Sequence, residues 1–252
     1  NARTKAIFVL HQWGYPQRMD IIMDEAKKNG WLVIEDCAHT FGSTYQGQIT
    51  GSFGDAAIVS FPKFFPTYVG GAVISKRADI IAEARAVRTR SRSLRHRVFD
   101  RLSVRAARQN YLLRAPPFVL TALYIKSIHF PRIARTALER FPATIEQVRA
   151  DIARRKYIFQ TLKKKAGLDY HPAILDEESE VIPLCVPLFF PEDKLRKAQE
   201  MLKEKHIIAD ILHFDVNRNT LHPQYKKCLA FPCHQYITDE ELHDMCDVIS
   251  RV

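Results

Sequence analysis

The feature that most constrains the fold is a strand–helix–strand pattern at the start of the chain. Ala6-Ile-Phe-Val-Leu10 is a short apolar run suited to a buried strand. The spacing of Ile22, Met23 and Ala26 then predicts a helix over Met19–Asn29, with Gly30 where a left-handed residue ends such a helix. Residues 31–34 (Trp-Leu-Val-Ile) form the next apolar run, which leads directly into Glu35-Asp36-Cys37-Ala38-His39. Two buried strands joined by one helix must pair in parallel through a right-handed crossover. The fold class is therefore α/β, with a mostly parallel sheet.

The rest of the chain fits around that unit. Residues 43–51 alternate in polarity and carry two glycines, which reads as a small hairpin. Residues 56–60 and 72–75 are further short strands, separated by an aromatic, proline-containing loop ending in Gly70-Gly71. From residue 76 to about 165 the apolar spacing is helical, punctuated by Pro116-Pro117 and Pro131. Mixed α/β character then returns. Residues 181–189 read as a strand, Glu192–Glu204 as an amphipathic helix with Leu195, Ala198 and Leu202 on one face, and 207–212 as another apolar run. Thr238-Asp-Glu-Glu241 is a capping box before a last helix bearing Leu242, Met245 and Ile249. Three parts follow: residues 1–75, a helical middle over 76–166, and a smaller C-terminal α/β domain over 167–252, divided near Gly167.

Charge separates these parts further. The chain of 252 residues has 38 Lys/Arg against 28 Asp/Glu, a net charge of +10. Residues 76–114 hold 12 of those bases and three acids, so nearly all of the excess lies in one segment. Arg85, Arg88, Arg92 and Arg95 recur at helical spacing and can form a solvated face or an anion-attracting one. Few aromatic residues stand among them, so a nucleic-acid partner is not expected. Residues 117–131 are apolar and adjacent, which makes an acidic membrane surface contacting residues 85–133 an open alternative. No apolar run reaches the roughly 18 residues of a spanning helix. Five cysteines are too few for a disulfide scaffold and point to a reducing, cytoplasmic setting. The chain opens Asn-Ala-Arg-Thr, without Met, so a fragment is expected.

Chemistry concentrates at the strand ends. Asp36 sits where open parallel sheets present ligand-contacting groups, and can pair a cation or a protonated ring nitrogen, or simply cap a turn. Lys63 lies among Phe61, Pro62, Phe64, Phe65 and Pro66. Apolar surroundings would lower its pKa and make it a Schiff-base nucleophile, whereas a snorkelling stem would leave it inert. Ser60 offers a hydroxyl at a strand end, and Gly70-Gly71 permit close backbone approach. Cys228, Cys233, His234, His243 and Cys246 cluster late in the chain, but their spacing matches no standard zinc knuckle, and no metal is expected.

The order of these residues resembles that of a known family. His11-Gln-Trp-Gly-Tyr-Pro-Gln-Arg-Met-Asp20 is similar to the His-x-Tyr-Gly-x-Pro-x-x-Met-Asp motif of the DegT/DnrJ sugar aminotransferases. Ile34-Glu-Asp-Cys-Ala-His39, Gly51-Ser-Phe-Gly-Asp-Ala56, Ser60-Phe61 and Leu229-Ala-Phe-Pro-Cys-His234 resemble further motifs of that family. The resemblance implies the large domain of a fold-type-I transferase, in part, with pyridoxal 5′-phosphate as cofactor. It implies Asp36 on the pyridine nitrogen, His39 against the ring, Ser60 on the phosphate, and Lys63 as the Schiff-base and proton-shuttling lysine, with His11 toward the substrate. It further implies a nucleotide-linked keto-sugar, an amino-acid donor and a homodimer. Two departures stand out. Only two residues separate Ser60 from Lys63 where the family has four, and Val69 replaces the acid before the glycine pair. The family's N-terminal phosphate loop has no counterpart here. A non-catalytic relative that binds an anionic partner through its arginine-rich helices is the competing expectation.

Overall fold

The computed structural model describes residues 3–67, 70–90 and 141–252. Strand β1 (Ala6–Leu10) runs parallel to β2 (Leu32–Cys37), in register from Ala6 opposite Leu32 to Leu10 opposite Asp36. Helix α1 (Met19–Asn29) connects them and buries Met19, Ile22 and Ala26. Gly30 ends it at φ 64°, and the Trp31 N–H returns to the Ala26 carbonyl at 2.9 Å, which satisfies an otherwise orphaned acceptor.

A hairpin of β3 (Thr44–Tyr45) and β4 (Gln48–Ile49) precedes β5 (Ala56–Ser60), which pairs in parallel with β2. Strand β6 (Gly71–Ile74) adds antiparallel to β5, giving the order β1-β2-β5-β6. The sheet is thus mostly parallel, as expected, and β6 gives it one antiparallel edge. Helix α2 (Ala78–Arg90) follows. Strand β2 is longer than its apolar run, because pairing with β1 and β5 on both sides carries it through Glu35 and Asp36 to Cys37.

Side chains alternate across a strand, so Val33, Glu35 and Cys37 face one side of β2 while Ile34 and Asp36 face the other. The first side is covered, with Val9, Met19, Ile22 and Val33 in one core. The second carries the exposed apolar groups Phe8, Leu10, Ile58 and Val73, with Asp36 in register between Leu10 and Ile58.

The C-terminal part comprises α3 (Ile145–Tyr170), β7 (Ser179–Glu180), β8 (Cys185–Leu188), α4 (Glu192–Glu204), β9 (Asp210–Asp215), β10 (Tyr225–Pro232) and α5 (Asp239–Arg251). An antiparallel sheet in the order β8-β10-β9 packs against α3, α4 and α5 around Phe159, Leu162, Leu195, Phe214, Phe231 and Met245. The capping box of α5 is complete: the Glu241 N–H donates to Thr238 Oγ1 at 3.1 Å and the Thr238 N–H to Glu241 Oε2 at 2.8 Å.

Two strand expectations shift. The first half of residues 181–189 is a connector, because the Ile182 and Leu184 N–H groups are drawn to Ser43 Oγ and the Trp13 carbonyl. Residues 207–209 still close the end of α4, with the Ile207 N–H on the Leu202 carbonyl, so β9 begins only at Asp210. Gly167, the expected divide, lies within α3 at φ 63°, and the C-terminal core already contains Ile158, Phe159 and Leu162. Arg85 is exposed on α2; the Arg88 side chain, Arg92, Arg95 and the apolar stretch 117–131 lie outside the described residues. No described helix is long and apolar enough to cross a membrane.

The two parts interlock. The segment after β1 inserts Trp13 and Tyr15 into the C-terminal core, where they meet Phe214 at 5.3 and 5.1 Å between ring centroids. Gly14, at φ 93°, lets the backbones touch, since a Cβ there would lie 2.4 Å from the Ile182 carbonyl oxygen.

Candidate active site

Asp36 occupies the carboxyl end of β2, half-buried on the open face of the sheet. Its Oδ1 accepts the Ala38 N–H at 2.9 Å, a turn that fixes how the chain leaves the strand toward His39. Its Oδ2 takes no protein partner among the described residues. His39 lies three residues on with its Nδ1 buried and unpartnered. Burial lowers the pKa of that ring, the Lys63 ammonium lowers it further, and the Asp36 carboxylate opposes both. His39 is therefore in electrostatic reach of both Asp36 and Lys63, which stand 27 positions apart in the sequence.

Lys63 stands on a single 3₁₀ turn, Phe61–Lys63, immediately after β5. Of the two readings open for this lysine, the apolar pocket gives way: its side chain is exposed, with no hydrogen-bond or ion-pair partner among the described residues. The reason is geometric. Phe64 and Phe65 turn away from it into a separate cluster with Val148, Phe41 and Phe141. Ser60 begins the turn without capping it, so its hydroxyl remains available to a ligand. Gly71, opposite Ser60 across the β5–β6 pair, is required there, because a Cβ would lie 2.3 Å from the Val59 carbonyl oxygen.

Glu35, directed to the covered face, is the hub beneath this site. Its Oε1 accepts the Phe53 and Gly54 N–H groups, both at 2.8 Å, and its Oε2 accepts the Gly51 N–H at 2.7 Å. His11 Nε2 completes the set at 3.0 Å from Oε2. Burial pushes the carboxyl up, but the bonds from His11, Gly54 and Gly51 outweigh it and hold Glu35 below its ordinary value. Asp55 then ties the same loop to β2 by accepting the Val33 N–H at 2.9 Å while its own N–H returns to the Val33 carbonyl at 2.8 Å. The Gly-Ser-Phe-Gly-Asp motif is thus a backbone nest for the Glu35 carboxylate.

His11 is not placed to touch a substrate. It is fully buried, and the Gln17 N–H donates to its Nδ1 at 3.1 Å, which leaves Nε2 to donate to Glu35. Both ring nitrogens are used within the chain, so its contribution is to position the loop after β1. His11, Glu35 and Cys37 do bring potential metal ligands within 4.8 Å. Every Glu35 oxygen is already occupied by N–H donors, however, and burial beside Glu35 and Asp36 raises the Cys37 thiol, so the set is a hydrogen-bond junction. The late cysteines are likewise structural. Cys228 and Cys233 are buried, with thiols pushed up to about 12 by that burial, and they donate to the Leu212 and Arg155 carbonyls.

Sequence reasoning passed over Glu35, although its place beside Asp36 in a strand already implied an opposite face. The sequence also carried no signal for Arg155 and Gln235, which reach the Lys63 turn from distant elements. Gln235 Nε2 donates to the Phe64 carbonyl at 2.8 Å, and Arg155 Nε donates to Gln235 Oε1 at 2.9 Å.

The profile of the DegT/DnrJ/EryC1/StrS aminotransferase family matches residues 1–250. The chain belongs to that family. As a DegT/DnrJ/EryC1/StrS chain it is 44% identical over 75 residues to the GDP-perosamine synthase of Escherichia coli O157:H7, covering 29% of this chain and 21% of the relative. It is 41% identical over 92 residues to the UDP-N-acetyl-3-dehydro-alpha-D-glucosamine 3-aminotransferase of Acidithiobacillus ferrooxidans, covering 34% and 24% respectively. These matches span about a quarter of the curated relatives' length. Among solved structures, Helicobacter pylori PseC, an aminotransferase involved in pseudaminic acid biosynthesis, superposes with a TM-score of 0.69 at 16% identity. That superposition covers 100% of this chain and 67% of PseC, and it establishes the shared fold-type-I architecture.

Proposed function

We propose that this chain carries the pyridoxal 5′-phosphate site of an aminotransferase that moves an amino group from an amino-acid donor to a keto-sugar carried on a nucleotide. The observation that carries this reading is that Asp36 and Lys63, from two strand ends, both act on the His39 ring, and that all three groups have unspent bonding capacity. Their chemistry fits the cofactor: a carboxylate for a protonated ring nitrogen, a flat imidazole with a buried unpartnered Nδ1, a partnerless amine, and the Ser60 hydroxyl for a phosphate. Names of the similar curated proteins, a GDP-perosamine synthase and a UDP-sugar 3-aminotransferase, support the nucleotide-sugar acceptor.

When bound, pyridoxal 5′-phosphate supplies an electron sink for negative charge at the substrate carbon. Asp36 keeps the ring nitrogen protonated, and Ala38 holds Asp36 in place. His39 and Ser60 would help hold the cofactor, Ser60 through its hydroxyl to the phosphate. Lys63 supplies the amine that holds the cofactor and afterwards takes and returns a proton at the substrate carbon. His11 and Glu35 act from below by fixing the loops on either side of β2. A homodimer in the cytoplasm belongs to the same reading, and the five free cysteines agree with a reducing compartment.

The test is reductive trapping. Natural full-length protein is loaded with pyridoxal 5′-phosphate, treated with borohydride and mapped by mass spectrometry. The label is expected on Lys63, and both label and visible absorbance should vanish in Lys63→Ala. A label distributed over surface lysines would refute the assignment.

A further inference from the structure

We infer that Arg155 and Gln235 are positioning residues that aim Lys63 by clamping the turn on which it stands. This rests on the reading of Lys63 given above. Having no side-chain partner among the described residues, Lys63 takes its direction from the backbone of residues 61–65 alone. That backbone is one tight turn, closed by the Phe64 and Phe65 N–H groups on the Phe61 carbonyl at 3.0 and 2.9 Å. With only two residues between Ser60 and Lys63, the turn has little internal structure with which to fix itself.

Support comes from outside. Gln235, just beyond β10, donates through Nε2 to the carbonyl of Phe64, the residue next to Lys63, at 2.8 Å. Gln235 is in turn held by Arg155 Nε at 2.9 Å. Arg155 is 3% exposed on α3 and is anchored by its Nη1 on the Cys233 carbonyl at 2.9 Å and the Pro183 carbonyl at 3.3 Å. Its guanidinium also lies 4.8 Å from the centroid of the Phe64 ring. The turn therefore cannot pivot without breaking the Gln235–Phe64 bond or pulling the Phe64 ring off the Arg155 guanidinium, which is itself fixed by its bonds to Gln235, Cys233 and Pro183. Phe41 closes the arrangement by packing on Phe64 at 5.8 Å and on Phe65 at 5.1 Å. Because Phe41 follows His39 by two residues, the same aromatic cluster sets Lys63 against the His39 face of the site.

Two variants separate aiming from general stability. Gln235→Leu removes both bonds of the clamp. Gln235→Glu keeps the acceptor for Arg155 but sets a carboxylate oxygen against the Phe64 carbonyl, near Asp151 Oδ2, which lies 3.5 Å from Gln235 Nε2. In cofactor-free full-length protein, amide exchange at Phe64 and Phe65 should rise about tenfold or more in both variants, with exchange in β1 and α5 unchanged. Borohydride trapping of pyridoxal 5′-phosphate at Lys63 should slow alongside, by about tenfold or more. Unchanged local exchange together with wild-type trapping in Gln235→Glu would overturn the clamp while leaving Lys63 in its assigned role. Absence of Lys63 labelling in the wild type would instead overturn the role itself.

Discussion

His11 and Glu35, 24 positions apart, meet at 3.0 Å with both side chains completely buried. Glu35 also accepts three backbone N–H bonds from the Gly51–Gly54 loop. An amide in its place would turn an NH₂ toward one or more of those donors. Glu35→Gln should therefore cost about 2–4 kcal/mol at pH 7 in urea unfolding. The folded carboxyl lies below its ordinary 4.5, so the unfolded state binds the proton first as pH falls. Stability from Glu35 is full above about pH 4.5 and is lost as pH drops through the lower folded value, so the gap between wild type and variant should narrow in acid. A gap that stays constant from pH 7 to pH 3.5 would contradict the charged hub.

Gly14 joins the two parts of the molecule by backbone contact. Its φ of 93° disfavours any side chain, and a Cβ would sit 2.4 Å from the Ile182 carbonyl oxygen. Gly14→Ala should cost about 2–4 kcal/mol. The loss should appear in exchange of the Leu184 amide, which donates to the neighbouring Trp13 carbonyl at 2.8 Å. Gly30→Ala makes a useful contrast: φ is 64° but nothing lies within 4 Å, so only the backbone cost of about 1 kcal/mol is expected.

What the sequence disclosed and what it hid divide along the range of the interaction. The βαβ unit, the Gly30 stop and the Thr238 capping box are decided by neighbours within a few positions, and each was readable in the chain. Asp36, His39, Ser60 and Lys63 were grouped by their motifs and their places at strand ends, and the proposed function rests on the same grouping. The exposure of Lys63 was one of two readings left open, because composition shows Phe64 and Phe65 beside it and cannot say that their rings turn away. Nor was the insertion of Trp13 and Tyr15 into the C-terminal core, since their partner Phe214 is about 200 positions distant. The same holds for Gln235 over the Phe64 carbonyl. His11 was misdirected for a related reason: a histidine in a motif looks available until both of its nitrogens are found in use.

Asp36 should be the most sensitive group after Lys63 under the proposed function. Asp36→Asn preserves size and can keep the turn with Ala38, yet it removes the negative charge that keeps a ring nitrogen protonated. Turnover of a nucleotide-linked keto-sugar by full-length protein should fall by about 100-fold or more, with the melting temperature nearly unchanged. Retention of full turnover would place the charge elsewhere.

His171 gives the C-terminal core a separate acid sensitivity. The ring is fully buried, packed 6.0 Å from Tyr15 and 5.7 Å from Phe159 between centroids. The Tyr15 hydroxyl lies 3.0 Å from Nε2, and burial raises the Tyr15 pKa well above 10, so the hydroxyl keeps its proton. Burial also lowers His171 from the ordinary 6.5 to about 4; the Lys163 ammonium adds to that shift and Asp176 opposes it. A histidine held neutral when folded takes up its proton first in the unfolded chain, so its contribution is complete above about pH 6.5. Between pH 6.5 and pH 4 the fold should lose on the order of 2–3 kcal/mol from this group alone. His171→Phe leaves the Tyr15 hydroxyl without its hydrogen-bond partner and should cost about 1 kcal/mol at pH 7. The same variant should lose less of its urea midpoint across that window than the wild type does, and equal slopes in the two proteins would assign the acid sensitivity to other groups.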